Sequence, residues 1–311
     1  TSLIYSGVVL VAGYKYVYGA EGLLTKLLLM VFPGMDPNWF VGYGAVVFVM
    51  TFSCTQNHMM FLKNAIHGLD YHTVEAAKNM GASGSTIFFK VVLPVLKPTF
   101  FAITILTFLT GLGAMSAPLI VGGEDFQTIN PMIITFSKST YSRGVAAFLA
   151  IILGVATIIL LSIFSKVEKS GNYVSVSKTK AKLTKQKINN PVVNALAHFV
   201  AWFMFVIYML PIVLIVVYSF CDYTTIMTGE ITASSFTLEN YGKLFTSIEA
   251  VKPYLVSIVY SLGAALLAAL VSIVCVRFVQ KSKNKLNKLF EYGALIPWLL
   301  PSTLIGSLTV A

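Results

Sequence analysis

One stretch of the sequence decides the fold class: residues 146–163 read Ala146-Ala-Phe-Leu-Ala-Ile-Ile-Leu-Gly-Val-Ala-Thr-Ile-Ile-Leu-Leu-Ser-Ile163. No Asp, Glu, Lys or Arg interrupts this run, and it is apolar on every face of a helix. A strand of a membrane β-barrel would alternate apolar and polar positions instead. Because backbone polar groups find no water in the bilayer core, we expect a membrane-spanning helix.

The composition of the whole chain supports a membrane protein. Of its 311 residues, 57% are hydrophobic and 11% are charged, and the mean hydropathy is +0.80. Soluble chains carry about 25% charged residues. These values exclude an ordinary soluble domain, a disordered chain and a nucleic-acid-binding module. The net charge of +10 therefore indicates basic cytoplasmic loops rather than a nucleic-acid partner.

Apolar runs of this kind predict an all-α polytopic membrane protein with seven spans. Charged residues are nearly absent from all of them, as the cost of a charge at a span centre requires. The predicted spans are Ser2–Tyr18, Trp39–Leu62, Thr99–Leu119, Gly144–Phe164, Ala195–Phe220, Tyr254–Val276 and Tyr292–Ala311.

The loops between these spans predict the direction of the chain. Loops 63–97, 166–190 and 277–291 carry 16 Lys and Arg against four Asp and Glu. Loops 15–38, 120–143 and 222–252 carry six Lys and Arg against eight Asp and Glu. Since basic loops stay in the cytoplasm, we expect the N-terminus inside and the C-terminus outside. Loop 166–190 ends in a Lys-rich stretch, which fits a solvated linker or a segment that binds anionic lipid.

Both ends of the chain lie inside apolar runs, from which we expect a segment of a longer polypeptide. A weak internal repeat joins residues 1–6 to residues 302–307 and fits two homologous halves. The three cysteines lie in or beside apolar runs without a CxxC pair, so they predict small core residues rather than disulfides or a metal cage.

The loop from Asn64 to Pro98 differs from the others. We predict a helix that begins after Asp70, a left-handed turn at Gly81, and a second short helix capped by Ser83 or Ser85. Pro94 and Pro98 are expected to reset the chain before the next span. One apolar side is predicted, and it would dock on a partner or lie on lipid; its residues are Ile66, Leu69, Val74, Met80, Ile87 and Phe88.

These residues carry a family resemblance. Glu75-Ala76-Ala77, Gly81-Ala82-Ser83 and Val91-Val92-Leu93-Pro94 resemble the "EAA" loop of binding-protein-dependent ABC transporter permeases. The glycine lies six positions after the glutamate, and Leu-Pro begins twelve positions later. Residues 235–245 are similar to an external segment of such permeases, and residues 297–301 are similar to the start of their third span.

The resemblance implies a type I ABC permease fold, as a fragment of a tandem six-plus-six helix permease of the ferric-iron and polyamine-like group. Residues 1–165 would be the later spans of the first half, with the loop at 64–98. Residues 166–194 would be a basic linker, and residues 195–311 the first three spans of the second half. A second EAA loop is then expected near position 376.

The resemblance also implies the function. The chain would be a multi-pass subunit of the bacterial cytoplasmic membrane that partners two cytoplasmic ATPase subunits and an extracytoplasmic solute-binding protein. No cofactor is expected in this chain, because ATP and Mg²⁺ would bind the partners. The coupling residues would be Glu75, Ala76, Ala77, Gly81, Ala82, Ser83, Leu93 and Pro94. The solute would be ferric iron or another small solute delivered by a binding protein, such as polyamine, thiamine or phosphonate. The alternative is a secondary transporter or channel without an ATPase.

Other residues allow simpler interpretations beside functional ones. His58-Met59-Met60 suggests a soft-metal site, but packing within the span explains it equally. His67 and His72 could suggest a metal site, but they lie five residues apart and do not share a helical face well. Glu124 and Asp125 fit an external gate, a contact with a binding protein, or a solvated turn. We find no HExxH, GxSxG or P-loop motif, so the sequence does not predict an enzyme.

Overall fold

The structure is a computed structural model that describes residues 7–124, 126–170 and 190–281. The regular structure in these ranges is helical, and an isolated antiparallel bridge joins Cys221 to Phe236. The α-helices are α1 Gly7–Tyr18, α2 Leu23–Val31, α3 Tyr43–His67, α4 Tyr71–Asn79, α5 Gly84–Ile87, α6 Leu93–Leu112, α7 Ser116–Val121, α8 Ile129–Ser137, α9 Arg143–Ser170, α10 Pro191–Ser219, α11 Tyr223–Thr228, α12 Glu239–Thr246 and α13 Ile248–Lys281. A π-helical segment, Phe88–Val92, joins α5 to α6, and 3₁₀ turns occur at Thr140–Ser142 and Ala233–Ser235.

The described residues contain five helical stretches long and apolar enough to cross a membrane. They are Tyr43–His67, Gly84–Leu112, Thr140–Leu160, Pro191–Ser219 and Ile248–Arg277. Each contains most of one predicted span, which confirms an all-α multi-pass membrane protein. The first predicted span is described only from Gly7 onward, as α1. The seventh lies outside the described residues.

The second predicted span, Trp39–Leu62, is displaced along the chain. Helix α3 begins at Tyr43, because Gly42 has a φ of +86° that interrupts right-handed helix. Trp39 lies in the preceding loop, where its indole N–H donates to Thr25 Oγ1 at 2.9 Å. At the other end α3 continues to His67, because helical hydrogen bonds persist into water while hydropathy marks only the bilayer edge.

The third predicted span, Thr99–Leu119, was wrong at its C-terminal end, and its helix begins well before Thr99. A continuous helical stretch runs from Gly84 to Leu112. The helix then breaks at residues 113–115, and α7 follows as a separate short helix. Pro118 lies at the third position of α7, where a missing N–H removes no intrahelical hydrogen bond.

The predicted role of Pro94 and Pro98 was also wrong. Pro94 lies in the first turn of α6 and Pro98 in its interior, so neither ends the helix. The π-helical segment Phe88–Val92 lies directly before them. Local π adjustment is one way in which membrane helices accommodate the backbone groups that a proline leaves unpaired. The second short helix of the loop is therefore continuous with the following span.

The described core is built around α1, which packs on α2, α3, α7 and α10. Tyr14 and Val17 are fully buried there. Gly13 allows the close approach of α10, since a Cβ atom at this position would lie 3.0 Å from the carbonyl oxygen of Pro211. A second cluster joins α8 to α9 through Ile133, Ala150 and Leu153. Helices α9 and α10 also extend into both ends of the predicted 166–194 linker, whose residues 171–189 lie outside the described part.

Candidate functional site

Helix α4 begins where the sequence predicted, at Asp70. The Asp70 carboxylate accepts a hydrogen bond from the backbone N–H of His72 at 3.1 Å, and its backbone oxygen accepts one from Thr73 Oγ1 at 2.7 Å. This cap satisfies one of the free N–H groups at the helix N-terminus. The helix start is therefore fixed by local chemistry.

The end of α4 is a Schellman motif centred on Gly81. The Gly81 N–H donates to Lys78 O at 2.8 Å, and the Ala82 N–H donates to Ala77 O at 3.0 Å. Both bonds require a left-handed residue at Gly81, whose φ is +79°. No heavy atom lies within 4 Å of the position that a Cβ at Gly81 would take. The glycine is thus needed for its backbone conformation and not for space.

Ser83 begins the second helix of the loop. Its Oγ accepts a hydrogen bond from the Thr86 N–H at 3.3 Å, as predicted for one of the two candidate caps. Helix α5 then continues through the π-helical segment into α6. A displacement of this part of the loop would therefore act directly on a membrane span.

A small apolar cluster holds the two helices of the loop together. Val74 and Ala77 of α4 and Ile87 of α5 are buried against one another, with Tyr71, Ala82, Val91 and Val92 packed around them. The predicted apolar side was therefore wrong as a single surface. Leu69, Val74 and Ile87 are buried, whereas Ile66, Met80 and Phe88 are exposed. The inward residues stabilise the loop, and the outward residues remain accessible.

Glu75 lies on the exposed side of α4. Its carboxylate is 3.6 Å from His72 Nδ1, and both side chains are more than half exposed. Solvent screens such a pair, so it holds the carboxylate only weakly. Ala76 and Gly81 are exposed on the same short unit, while Ala77 is buried. The carboxylate is thus free to accept hydrogen bonds from a partner.

The eight residues predicted as a site fall into two groups. Residues 75–77 and 81–83 surround the turn between α4 and α5. Leu93 and Pro94 instead line an apolar groove of about 630 Å³ along the start of α6, with Phe89, Lys97, Phe100, Phe101 and Thr104. Sequence reasoning missed the π-helical segment that separates the groups, although two prolines four residues apart in a helical pattern were a signal for it.

The remaining candidates have structural surroundings. His58 contacts Thr107 Oγ1 of α6 at 3.2 Å, which connects two spans. Among the described residues, no three His, Cys, Asp or Glu side chains lie together as they would in a metal site. Glu124 is exposed, and Asp125 lies outside the described part.

Comparison with known proteins places the sequence in a family. The pattern of the family described as "Binding-protein-dependent transport system inner membrane component" matches residues 10–169, about half of the chain. This region extends from α1 almost to the end of α9 and contains the whole loop between α3 and α6.

Curated relatives are similar over most of the chain. The first, "Probable ABC transporter permease protein y4fN" of Sinorhizobium fredii (strain NBRC 101917 / NGR234), is 34% identical over 98% of this chain and 53% of its own length. "Ferric transport system permease protein FbpB" of Actinobacillus pleuropneumoniae is 22% identical over 94% of this chain and 42% of its own length. "Spermidine/putrescine transport system permease protein PotC" of Haemophilus influenzae is 23% identical over 52% of this chain and 69% of its own length.

The chain spans about half the length of y4fN and FbpB. No solved structure matches it. The family match covers about half of the chain. The chain therefore belongs to the family of inner membrane components of binding-protein-dependent transport systems.

Proposed function

We propose that this chain is part of the permease of an ATP-driven importer and that residues 64–98 couple it to ATPase subunits. The observation that carries the proposal is the exposed turn at Gly81, which is held between two packed helices and continues into α6. A rigid, accessible unit joined to a span is what a force-transmitting contact requires. Family membership supports this assignment.

In the proposed mechanism, two cytoplasmic ATPase subunits bind ATP and Mg²⁺ and close, while this chain contributes no cofactor. The closing subunits displace α4 through contacts that include Glu75 and Met80. Val74 and Ala77 transmit the displacement to Ile87, since these three side chains are packed together. The continuous helix from residue 84 to residue 112 then tilts or shifts within the membrane.

The proposed setting is the cytoplasmic membrane of a bacterium, with a solute-binding protein on the outer side. Relatives are named for ferric iron and for spermidine and putrescine. We propose a small solute of this kind, with thiamine and phosphonate as further candidates. We propose that the binding protein, rather than this chain, selects the solute.

The test is retention of the ATPase by the permease in mild detergent. Met80, the C-cap of α4, is 80% exposed, and Met227 of α11 is 59% exposed at the opposite predicted side of the membrane. Met80→Asp places a charge where we propose an apolar contact, so we expect ATPase retention to fall about tenfold or more, the effect of losing a buried Met contact. Met227→Asp is the matched control and should retain the ATPase fully.

Two results would contradict the proposal. One is equal retention by the Met80→Asp and Met227→Asp variants at matched membrane levels. The other is solute transport by the permease alone in lipid vesicles, which would favour an ATPase-independent transporter or channel.

A further inference from the structure

His58 lies in the second half of α3. Its ring Nδ1 is 3.2 Å from Cys54 O, and Thr107 Oγ1 lies 3.2 Å from Nε2 and 3.5 Å from Nδ1. One neutral tautomer satisfies both contacts. Nδ1–H donates to the Cys54 carbonyl, and Nε2 accepts the hydroxyl proton of Thr107. The imidazole is thus fixed to its own helix on one side and to α6 on the other.

Thr107 differs from Thr104 and Thr110, two other threonines of α6. The hydroxyl of Thr104 donates to Phe100 O at 2.8 Å, and that of Thr110 donates to Leu106 O at 2.9 Å. Both bonds stay within one helix, as is common for threonine in membrane spans. Thr107 lies between them on the same helix and contacts His58 across the interface instead. This contact is therefore specific to the packing of α3 on α6.

The position of this contact relates it to the loop. Helix α3 leads into the loop of residues 64–98, and helix α6 leads out of it. His58 precedes the end of α3 at His67 by nine residues, which corresponds to about 14 Å along a helix. A polar contact between two spans resists sliding, because separation would leave Nε2 of His58 without its partner. It therefore opposes relative motion of α3 and α6 above the loop.

We propose that His58 and Thr107 are positioning residues that make α3 and α6 move as one unit when the loop is displaced. The proposal rests on the coupling function proposed above. Without the contact, the loop would still bind the ATPase, but motion imposed at one end of the pair would be partly lost as sliding between the helices. The outer end of α3, which begins at Tyr43, would then respond less to ATP.

The experiment follows the outer end of α3 in the complete transporter, purified with its ATPase and placed in lipid vesicles. Tyr43 is 69% exposed there, so Tyr43→Cys in a background without the native cysteines provides a site for an impermeant maleimide. The measured quantity is the ratio of labelling rates with and without ATP and Mg²⁺. Retention of the ATPase is measured on the same samples.

Thr107→Val removes the hydroxyl with little change of shape, and Thr110→Val is the matched control on the same helix. We expect Thr107→Val to shift the equilibrium between coupled and uncoupled helices about 3- to 20-fold, the range that one hydrogen bond between membrane helices is worth, and so to move the labelling ratio towards 1. Thr110→Val should leave the ratio unchanged. Thr107→Ser keeps the hydroxyl and should restore it, whereas His58→Leu should move it towards 1 as Thr107→Val does.

The outcomes separate this proposal from the coupling function. If Thr107→Val keeps both the ATPase and the wild-type ratio, the positioning role is wrong while coupling stands. If Thr107→Ser fails to restore the ratio in a sample that retains the ATPase, the hydrogen bond is not the cause and the positioning role is wrong. If the unsubstituted permease retains no ATPase, the coupling function fails, and the positioning role fails with it.

Discussion

Substitution of Gly81 separates the backbone requirement of the loop from every other effect of adding a side chain. Its φ of +79° suits glycine, and no heavy atom lies within 4 Å of a Cβ built there. Gly84, three residues later, also has no neighbour within 4 Å, but it begins the right-handed helix α5. Gly81→Val and Gly84→Val therefore add the same side chain at similar exposure and differ in backbone strain.

The expected magnitude follows from that strain. A residue with a Cβ pays about 1–2 kcal/mol for a left-handed conformation. That cost lowers the population of the Schellman turn, relative to rearranged loop conformations, by about 5- to 30-fold. If the ATPase binds only the native turn, its apparent affinity falls by up to the same factor. Gly81→Asn should lie between glycine and valine, because asparagine tolerates the left-handed region better.

The assay is titration of purified ATPase onto each permease variant at matched amounts of inserted protein. Insertion should be normal in all three variants, since the predicted location of the loop is outside the bilayer. We expect weak binding for Gly81→Val, intermediate binding for Gly81→Asn, and nearly normal binding for Gly84→Val. Equal affinity for the two valine variants would refute the requirement for a left-handed turn.

Two further predictions concern orientation and packing. In intact cells without the native cysteines, Glu230→Cys should react with an impermeant thiol reagent and Lys78→Cys should be protected; the opposite pattern would invert the predicted topology. Gly13→Ala should lower the thermal stability of the purified protein, with a cost of about 1–3 kcal/mol for overpacking against Pro211. Gly44→Ala, which meets no atom within 4 Å, is its control, and equal melting temperatures would contradict close packing of α1 on α10.

Features that depend on local chemistry were predicted correctly from the sequence. The carboxylate of Asp70 and the hydroxyl of Ser83 each reach a backbone N–H only two or three residues ahead. The left-handed turn at Gly81 likewise needs only glycine at the end of a helical pattern. Such short-range interactions can be inferred because both partners belong to the same few residues.

The break after α6 could not be inferred in this way. Gly113 lies in a run whose hydropathy continues to Leu119, so composition predicts one uninterrupted span. In the structure, the buried side chain of Asn130 donates from Nδ2 to Gly113 O at 2.6 Å and satisfies a carbonyl at the helix end. This partner lies 17 residues away. The contact between His58 and Thr107 was missed for the same reason, since 49 residues separate the two.

The two sides of the loop are joined to the membrane differently, and this decides how the loop can act. Helix α4 is separated from α3 by Gly68, Leu69 and the capping residue Asp70. A displacement of α4 can therefore be absorbed as rotation about these residues. Helix α5 has no such joint, because helical structure continues through residues 88–92 into α6.

It follows that α4 acts as the contact surface and α5 as the lever in the proposed mechanism. The cluster of Val74, Ala77 and Ile87 is the place where force passes from one to the other. Displacement would then reach α6 first and α3 second, through the contact at His58. This order gives each feature a separate role. The turn at Gly81 keeps the contact surface of α4 in shape, and the hydrogen bond between Thr107 and His58 carries the motion of α6 to α3.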